Sequence, residues 1–164
     1  SLVRLLGGEA DADRGVALYR ERFGEVGLYE NAVYPEIEAT LAALQSRARL
    51  FVATSKAHVY ADRIIDHFGL RRYFEHVFGA ELDGTRANKG DLLAFAIERT
   101  GADPSRSLMI GDRSHDIVGA KTNGIDGIGV LYGYGSREEL LEAGAVQLCA
   151  TPGAITAHLT AGSN

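Results

Sequence analysis

The stretch SLMIGDRSHDIVGAKTNG, residues 107–124, sets two aspartates, Asp112 and Asp116, just after a short apolar run. Leu108, Met109 and Ile110 are continuous rather than alternating, the pattern of a strand buried on both faces. Gly111 lets the backbone turn sharply without a Cβ clash. Residues 114–123 read as a helix, with Ile117, Ala120 and Lys121 at helical spacing and Gly124 as its stop. Asp112 is therefore expected at a strand's carboxyl end, and Asp116 in the first turn of the helix that follows. In an open α/β sheet that edge is where ligands bind.

The same alternation extends to both sides. Strands are expected at 49–53, 76–80, 127–132 and 145–150, with helices at 57–68, 89–100, 136–143 and 152–160. Strands alternating with helices at this spacing build βαβ units with right-handed crossovers. The fold class is thus α/β, a doubly wound parallel sheet. Upstream, residues 11–24 carry Val16, Tyr19 and Phe23 on one helical face, and a second helix runs from near Pro35 to about Arg47. The boundary falls between Leu28 and Pro35, which gives a helical piece at 1–30 and an α/β core at 31–164.

Bulk composition narrows the function classes. The 164 residues suit one domain, or one domain plus a small appendage, and 46% hydrophobic content is ordinary for a globular chain. Net charge is −5 and the 17 basic residues are scattered, so no nucleic-acid partner is expected. No apolar run has the length of a membrane span, and no charged-then-apolar leader opens the chain. Cys149 is the single cysteine and cannot form an internal disulfide; a buried core thiol in a reducing, cytoplasmic setting is expected. His58, His67, His76 and His158 share no metal-ligand spacing. Oligomeric state has no signature here.

Three strand ends carry chemistry. Thr54, Ser55 and Lys56 follow the strand at 49–53 and are expected to open a helix, where hydroxyls and free amides seat an anion. Lys89 opens another helix, a position unfavourable with the macrodipole unless an anion lies nearby. Asp112 and Asp116 are oxygen donors of the kind Mg²⁺ takes, one or two carboxylates with several waters retained. Each feature alone has a plain structural reading: a cap, a solvated lysine, two acids at a helix start. In this order on successive strand ends, they describe a phosphate site with a divalent cation. His115 reads as an exposed helix-start histidine, and Tyr132 and Tyr134 either border a substrate or pack their loop.

At this point the sequence resembles the haloacid dehalogenase superfamily of phosphohydrolases, from about Tyr19 onward. LFVATSK is similar to the family's second motif, with Thr54 as the phosphate-binding hydroxyl. Lys89 in RANKGDLLAFAIERTG fits the third motif, and LMIGDRSHDIVGAKTNG the fourth, with Asp112 and Asp116 as its acidic pair. GLYENAVYPEIEATLAAL and GVLYGYGSREELLEAGA resemble the phosphoglycolate phosphatase and 5′-nucleotidase-like branch. The resemblance implies a Mg²⁺-dependent phosphatase acting on a small phosphorylated metabolite. Thr54 and Lys89 would be catalytic, Ser55 would join them on phosphate, and Asp112 and Asp116 would hold the metal, Asp116 directly or through water. Residues 1–30 would be part of a helical cap.

The family's first motif, a strand ending in Asp-x-Asp-Gly-Thr, is not among these residues. It supplies the nucleophile and the general acid/base. AELDGTR at 80–86 carries Asp83-Gly84-Thr85, but with Glu81 in the nucleophile's place and between the wrong motifs, so it reads as a turn. In the family the missing strand is central, between those ending here at Ala53 and Gly111. Its absence is expected to leave a gap or to force those two to pair, and to leave the 164 residues inactive as part of a longer protein. The alternative is a non-catalytic phosphate-binding or interaction protein of the same fold. A dehalogenase is disfavoured by the metal pair.

Overall fold

The computed structural model describes residues 32–161 together with Arg22 and Gly27. The helix expected at 11–24 lies outside the described residues, apart from Arg22, as does most of the cap piece placed at 1–30. Backbone contacts divide the chain into two units, 1–33 and 34–164. Every strand among the described residues belongs to the second.

In chain order that unit runs α1 (Ile37–Gln45), β1 (Phe51–Ala57), α2 (His58–His67), β2 (His76–Ala80), α3 (Lys89–Thr100), β3 (Leu108–Gly111), α4 (Ser114–Thr122), β4 (Asp126–Val130), α5 (Arg137–Ala143), β5 (Gln147–Cys149) and α6 (Pro152–Ala161). Local chemistry explains the ends. The Asn88 side chain accepts the amides of Gly90 and Asp91 to start α3, and Gly101 stops it at φ 63°. Ser136 accepts the Glu139 amide to start α5. None of the helices among the described residues is long and apolar enough to cross a membrane.

All strand pairs are parallel, and the sheet is in two pieces. One piece is β1 beside β2, from Phe51↔His76 to Ala57↔Ala80. The other has the order β3-β4-β5, with Leu108↔Asp126 through Gly111↔Gly129 and Ile128↔Gln147 through Val130↔Cys149. Among the described residues nothing pairs β1 with β3. Of the two expected outcomes, a gap or direct pairing, the chain takes the gap.

Burial marks the same break. β4 buries four residues in a row, and so does β2, although β2 borders its sheet piece. β1 has no buried residue, and in β3 Gly111 alone is buried, Leu108 being 45% exposed. The apolar run of β3 and the Phe51–Ala53 half of β1 suit burial, and both are left part-covered, as strands short of a neighbour are.

Two apolar clusters pack the strands against the helices. Ile128, Val130 and Cys149 pack with Leu44 of α1 and Ile155 of α6, joined by Ile110 and Tyr132. Leu93, Ala120 and Ile125 pack with Ala53 and Met109, so this cluster touches both sides of the break. Cys149 is buried, as its apolar setting in the sequence implied, and burial pushes its thiol pKa up.

Candidate active site

Three segments converge beside the break, at the carboxyl ends of β1 and β3. Thr54, Ser55, Lys89, Asp112 and Asp116 line one open cleft of about 410 Å³. The five residues singled out by sequence are thus brought together. A smaller hollow of about 270 Å³ beside β2, between Phe78, Arg86 and Phe95, contains none of them.

The β1 contribution differs from expectation. Residues 54–56 do not open a helix: β1 continues to Ala57 and α2 starts only at His58. Pairing with β2 runs through Thr54↔Gly79 and resumes at Ala57↔Ala80, so Ser55 and Lys56 bulge out of the ladder. A bulge bends the strand and re-aims its side chains, so the cleft is met by a strand end instead of a helix N-terminus. Thr54 Oγ1 accepts the Lys56 amide at 3.2 Å. Lys56, which carried no assigned role in the sequence, also lines the cleft, and burial lowers its ammonium pKa from the ordinary value.

Lys89 is 6% exposed, and so is Asp116. Lys89 Nζ lies 3.0 Å from Asp116 Oδ1 and donates to the Ala53 carbonyl at 2.7 Å. The lysine at the start of α3 pairs with a carboxylate on the next helix. Asp116 Oδ2 accepts the Arg113 amide at 3.2 Å, which helps cap α4. Two glycines admit this arrangement. A Cβ on Gly111 would sit 2.4 Å from Asp116 Cβ, and one on Gly119 would sit 2.8 Å from Lys89 Cγ. His115 is exposed as expected, with Nε2 at 3.6 Å from Asp116 Oδ1.

Asp112 stands differently. Its Oδ2 accepts the Tyr134 amide at 2.8 Å, and no hydrogen bond from the described residues reaches its other oxygen. The two tyrosines separate in role. Tyr132 packs on the core and edge-on to Tyr34 at a centroid distance of 5.2 Å, and burial pushes its phenol up to about 12. Tyr134 offers its main chain to Asp112 and leaves its ring 89% exposed. The Asp83 segment is a turn: Asp83 Oδ1 accepts the Thr85 amide at 2.8 Å, Gly84 has φ 91°, and Glu81 pairs with Arg86.

Among the described residues no three His, Cys, Asp or Glu side chains gather as a ready metal cage. The donor set still suits Mg²⁺, which takes one or two carboxylates and keeps water. Asp112 has an oxygen to give. Asp116 has both oxygens in use, which fits a role through water better than direct ligation.

The family described as haloacid dehalogenase-like hydrolase matches residues 2–124, a span that includes every one of the five cleft residues. A 5′-nucleotidase of Pseudomonas aeruginosa is 46% identical over 143 residues, 87% of this chain and 65% of that protein. The tyrosine-protein kinase PtkA of Mycobacterium tuberculosis is 41% identical over 137 residues, 83% of this chain and 47% of that one. Further relatives carry the name phosphoglycolate phosphatase. A crystal structure of a predicted phosphatase from Clostridium acetobutylicum superposes with a TM-score of 0.90 at 35% identity, covering 98% of this chain and 75% of that one. The chain thus spans less than two thirds of the length of these two curated relatives. By its family match, its relatives and its fold, the chain belongs to the haloacid dehalogenase-like hydrolases.

Proposed function

We propose that this chain is the phosphate- and metal-binding part of a phosphomonoesterase. The observation that carries the reading is the convergence of Thr54, Ser55, Lys89, Asp112 and Asp116 on one cleft beside a break in the sheet. A hydroxyl, a buried ammonium and a carboxylate with an unused oxygen are what a phosphoryl group and its counter-ion require.

The nucleophile is proposed to come from a further parallel strand seated between β1 and β3. The half-exposed β1 and β3 support this, because such a strand would cover both. By family resemblance it ends in an aspartate that attacks phosphorus. The ester P–O bond breaks, the alcohol leaves with a proton from a general acid, and water then hydrolyses the aspartyl-phosphate. Thr54 Oγ1 and Lys89 Nζ hold phosphoryl oxygens through both steps, with Ser55 beside them. Asp116 keeps Lys89 aimed. Asp112 would hold Mg²⁺, with Asp116 reaching it through water; when bound, the ion neutralises charge on the phosphoryl group. The substrate is a small phosphorylated metabolite, nucleotide- or phosphoglycolate-like.

Phosphate release from 5′-nucleoside monophosphates and phosphoglycolate by the whole natural protein, with and without Mg²⁺, tests the reading. Metal-dependent release that falls on the order of 10²-fold in Thr54→Val supports it. Binding of phosphate without turnover would make the protein a binder of the same fold, and the 164 residues alone are expected to show no release.

A further inference from the structure

The loop after β4 lies against Asp112 more closely than chain connection demands. Tyr134 donates its amide to Asp112 Oδ2 at 2.8 Å. A Cβ on Gly133 would fall 2.4 Å from that same oxygen, and one on Gly135 would fall 2.0 Å from the Asp112 carbonyl oxygen. Both flanking positions therefore have room only for glycine, and the loop grips the aspartate through side chain and main chain alike.

Something must hold the loop there. Ser136 caps α5, accepting the Glu139 amide at 3.1 Å, and this places Glu139 in the helix's first turn. Glu139 Oε1 then crosses to the other loop. It accepts the Ser114 amide at 2.8 Å and the Arg113 Nε–H at 3.0 Å. Ser114 and Arg113 directly follow Asp112 in the chain, and Arg113 has no side-chain oxygen with which to cap α4. One carboxylate from α5 supplies the missing cap and ties the two loops together.

We propose that Glu139 is a positioning residue for Asp112. It clamps the 133–135 loop onto the β3–α4 turn, so that one Asp112 oxygen is fixed on the Tyr134 amide and the other is turned toward the cleft. A ligand whose orientation is fixed by such outer contacts gives up less freedom when it binds an ion. The inference rests on the reading of Asp112 as a metal-holding residue, but its structural half stands apart from that reading.

The test compares Glu139→Ala, Glu139→Gln and Asp112→Asn in the whole natural protein. Two readouts are taken: amide hydrogen exchange at Tyr134 by NMR, and Mg²⁺ affinity by calorimetry. Glu139→Ala is expected to speed Tyr134 exchange and to weaken Mg²⁺ by about tenfold or more. Glu139→Gln keeps an acceptor for Ser114 and is expected to retain most of both. Unchanged Tyr134 exchange in a folded Glu139→Ala protein overturns the clamp. Faster exchange with unchanged Mg²⁺ affinity, where Asp112→Asn does weaken Mg²⁺, overturns its link to the metal. If Asp112→Asn leaves Mg²⁺ binding unaltered, the reading of Asp112 fails, and Tyr134 exchange in Glu139→Ala still decides the clamp.

Discussion

Lys89 Nζ and Asp116 Oδ1 stand 3.0 Å apart, with the two side chains 4% and 8% exposed. The same ammonium donates to the Ala53 carbonyl on β1. A single buried cation therefore joins β1 of one sheet piece to the helix that follows β3 in the other. In the proposed reaction this pair sits where the phosphoryl group arrives, so stability and chemistry depend on one contact.

Removing Lys89 should cost stability as well as activity. Lys89→Met leaves the Asp116 carboxylate buried without its partner, and breaking a buried pair from one side costs about 3–5 kcal/mol. Replacing both members, as Lys89→Met with Asp116→Leu, should recover most of that loss while leaving phosphate binding abolished. Urea unfolding of the single and double variants checks this. A single variant as stable as the native chain would mean that the pair is not closed in solution.

Gly119→Ala should destabilise, against helix propensity. Alanine in place of glycine gains about 1 kcal/mol in a helix interior. Here the added methyl meets Lys89 Cγ at 2.8 Å, Lys89 Cβ at 2.9 Å and the Gly90 amide nitrogen at 3.0 Å. Overpacking of that kind costs about 1–3 kcal/mol, and part of it falls on backbone that cannot step aside. The expected net change in chemical unfolding is a loss. A gain near 1 kcal/mol would show that α3 and α4 separate freely at Lys89.

Much of this arrangement is legible in the sequence, for identifiable reasons. The strand at 76–80 follows from a short apolar run and the helix at 89–100 from helical spacing ended by Gly101, and both are found at those residues. The Asp83 turn is visible because Asp-Gly is local chemistry. The end of β1 is not legible: a two-residue bulge is set by pairing with β2, and nothing in TSK announces it. The partner of Lys89 is hidden for a similar reason, since Asp116 lies on another helix. Glu139 escapes because a glutamate in a helix's first turn already has a sufficient local explanation in the macrodipole.

Acid should weaken the hold of Glu139 on the Asp112 loop and lower stability with it. The Ser114 amide, then the Arg113 guanidinium, hold the Glu139 carboxyl down to about 2 from an ordinary 4.5. A carboxylate depressed in the folded state stabilises it fully above its unfolded pKa, and the contribution fades as pH falls from about 4.5 toward 2. Thermal midpoints measured from pH 6 down to about pH 2.5 should decline, and Glu139→Gln should show a shallower decline over the same interval. Parallel curves for the two proteins would remove Glu139 from the account.

The most direct test of the central claim is to trap the phosphoenzyme. The whole natural protein is mixed with a ³²P-labelled phosphomonoester and Mg²⁺, quenched in acid within the turnover time, digested, and the labelled peptide sequenced. The account predicts a hydroxylamine-labile acyl phosphate on an aspartate in a strand outside residues 32–161, and no label on Asp83, Asp112 or Asp116. Label on one of those three, or a stable phosphate on Thr54 or Ser55, would contradict it, because the reacting group would then belong to the cleft instead of to the strand that fills the break.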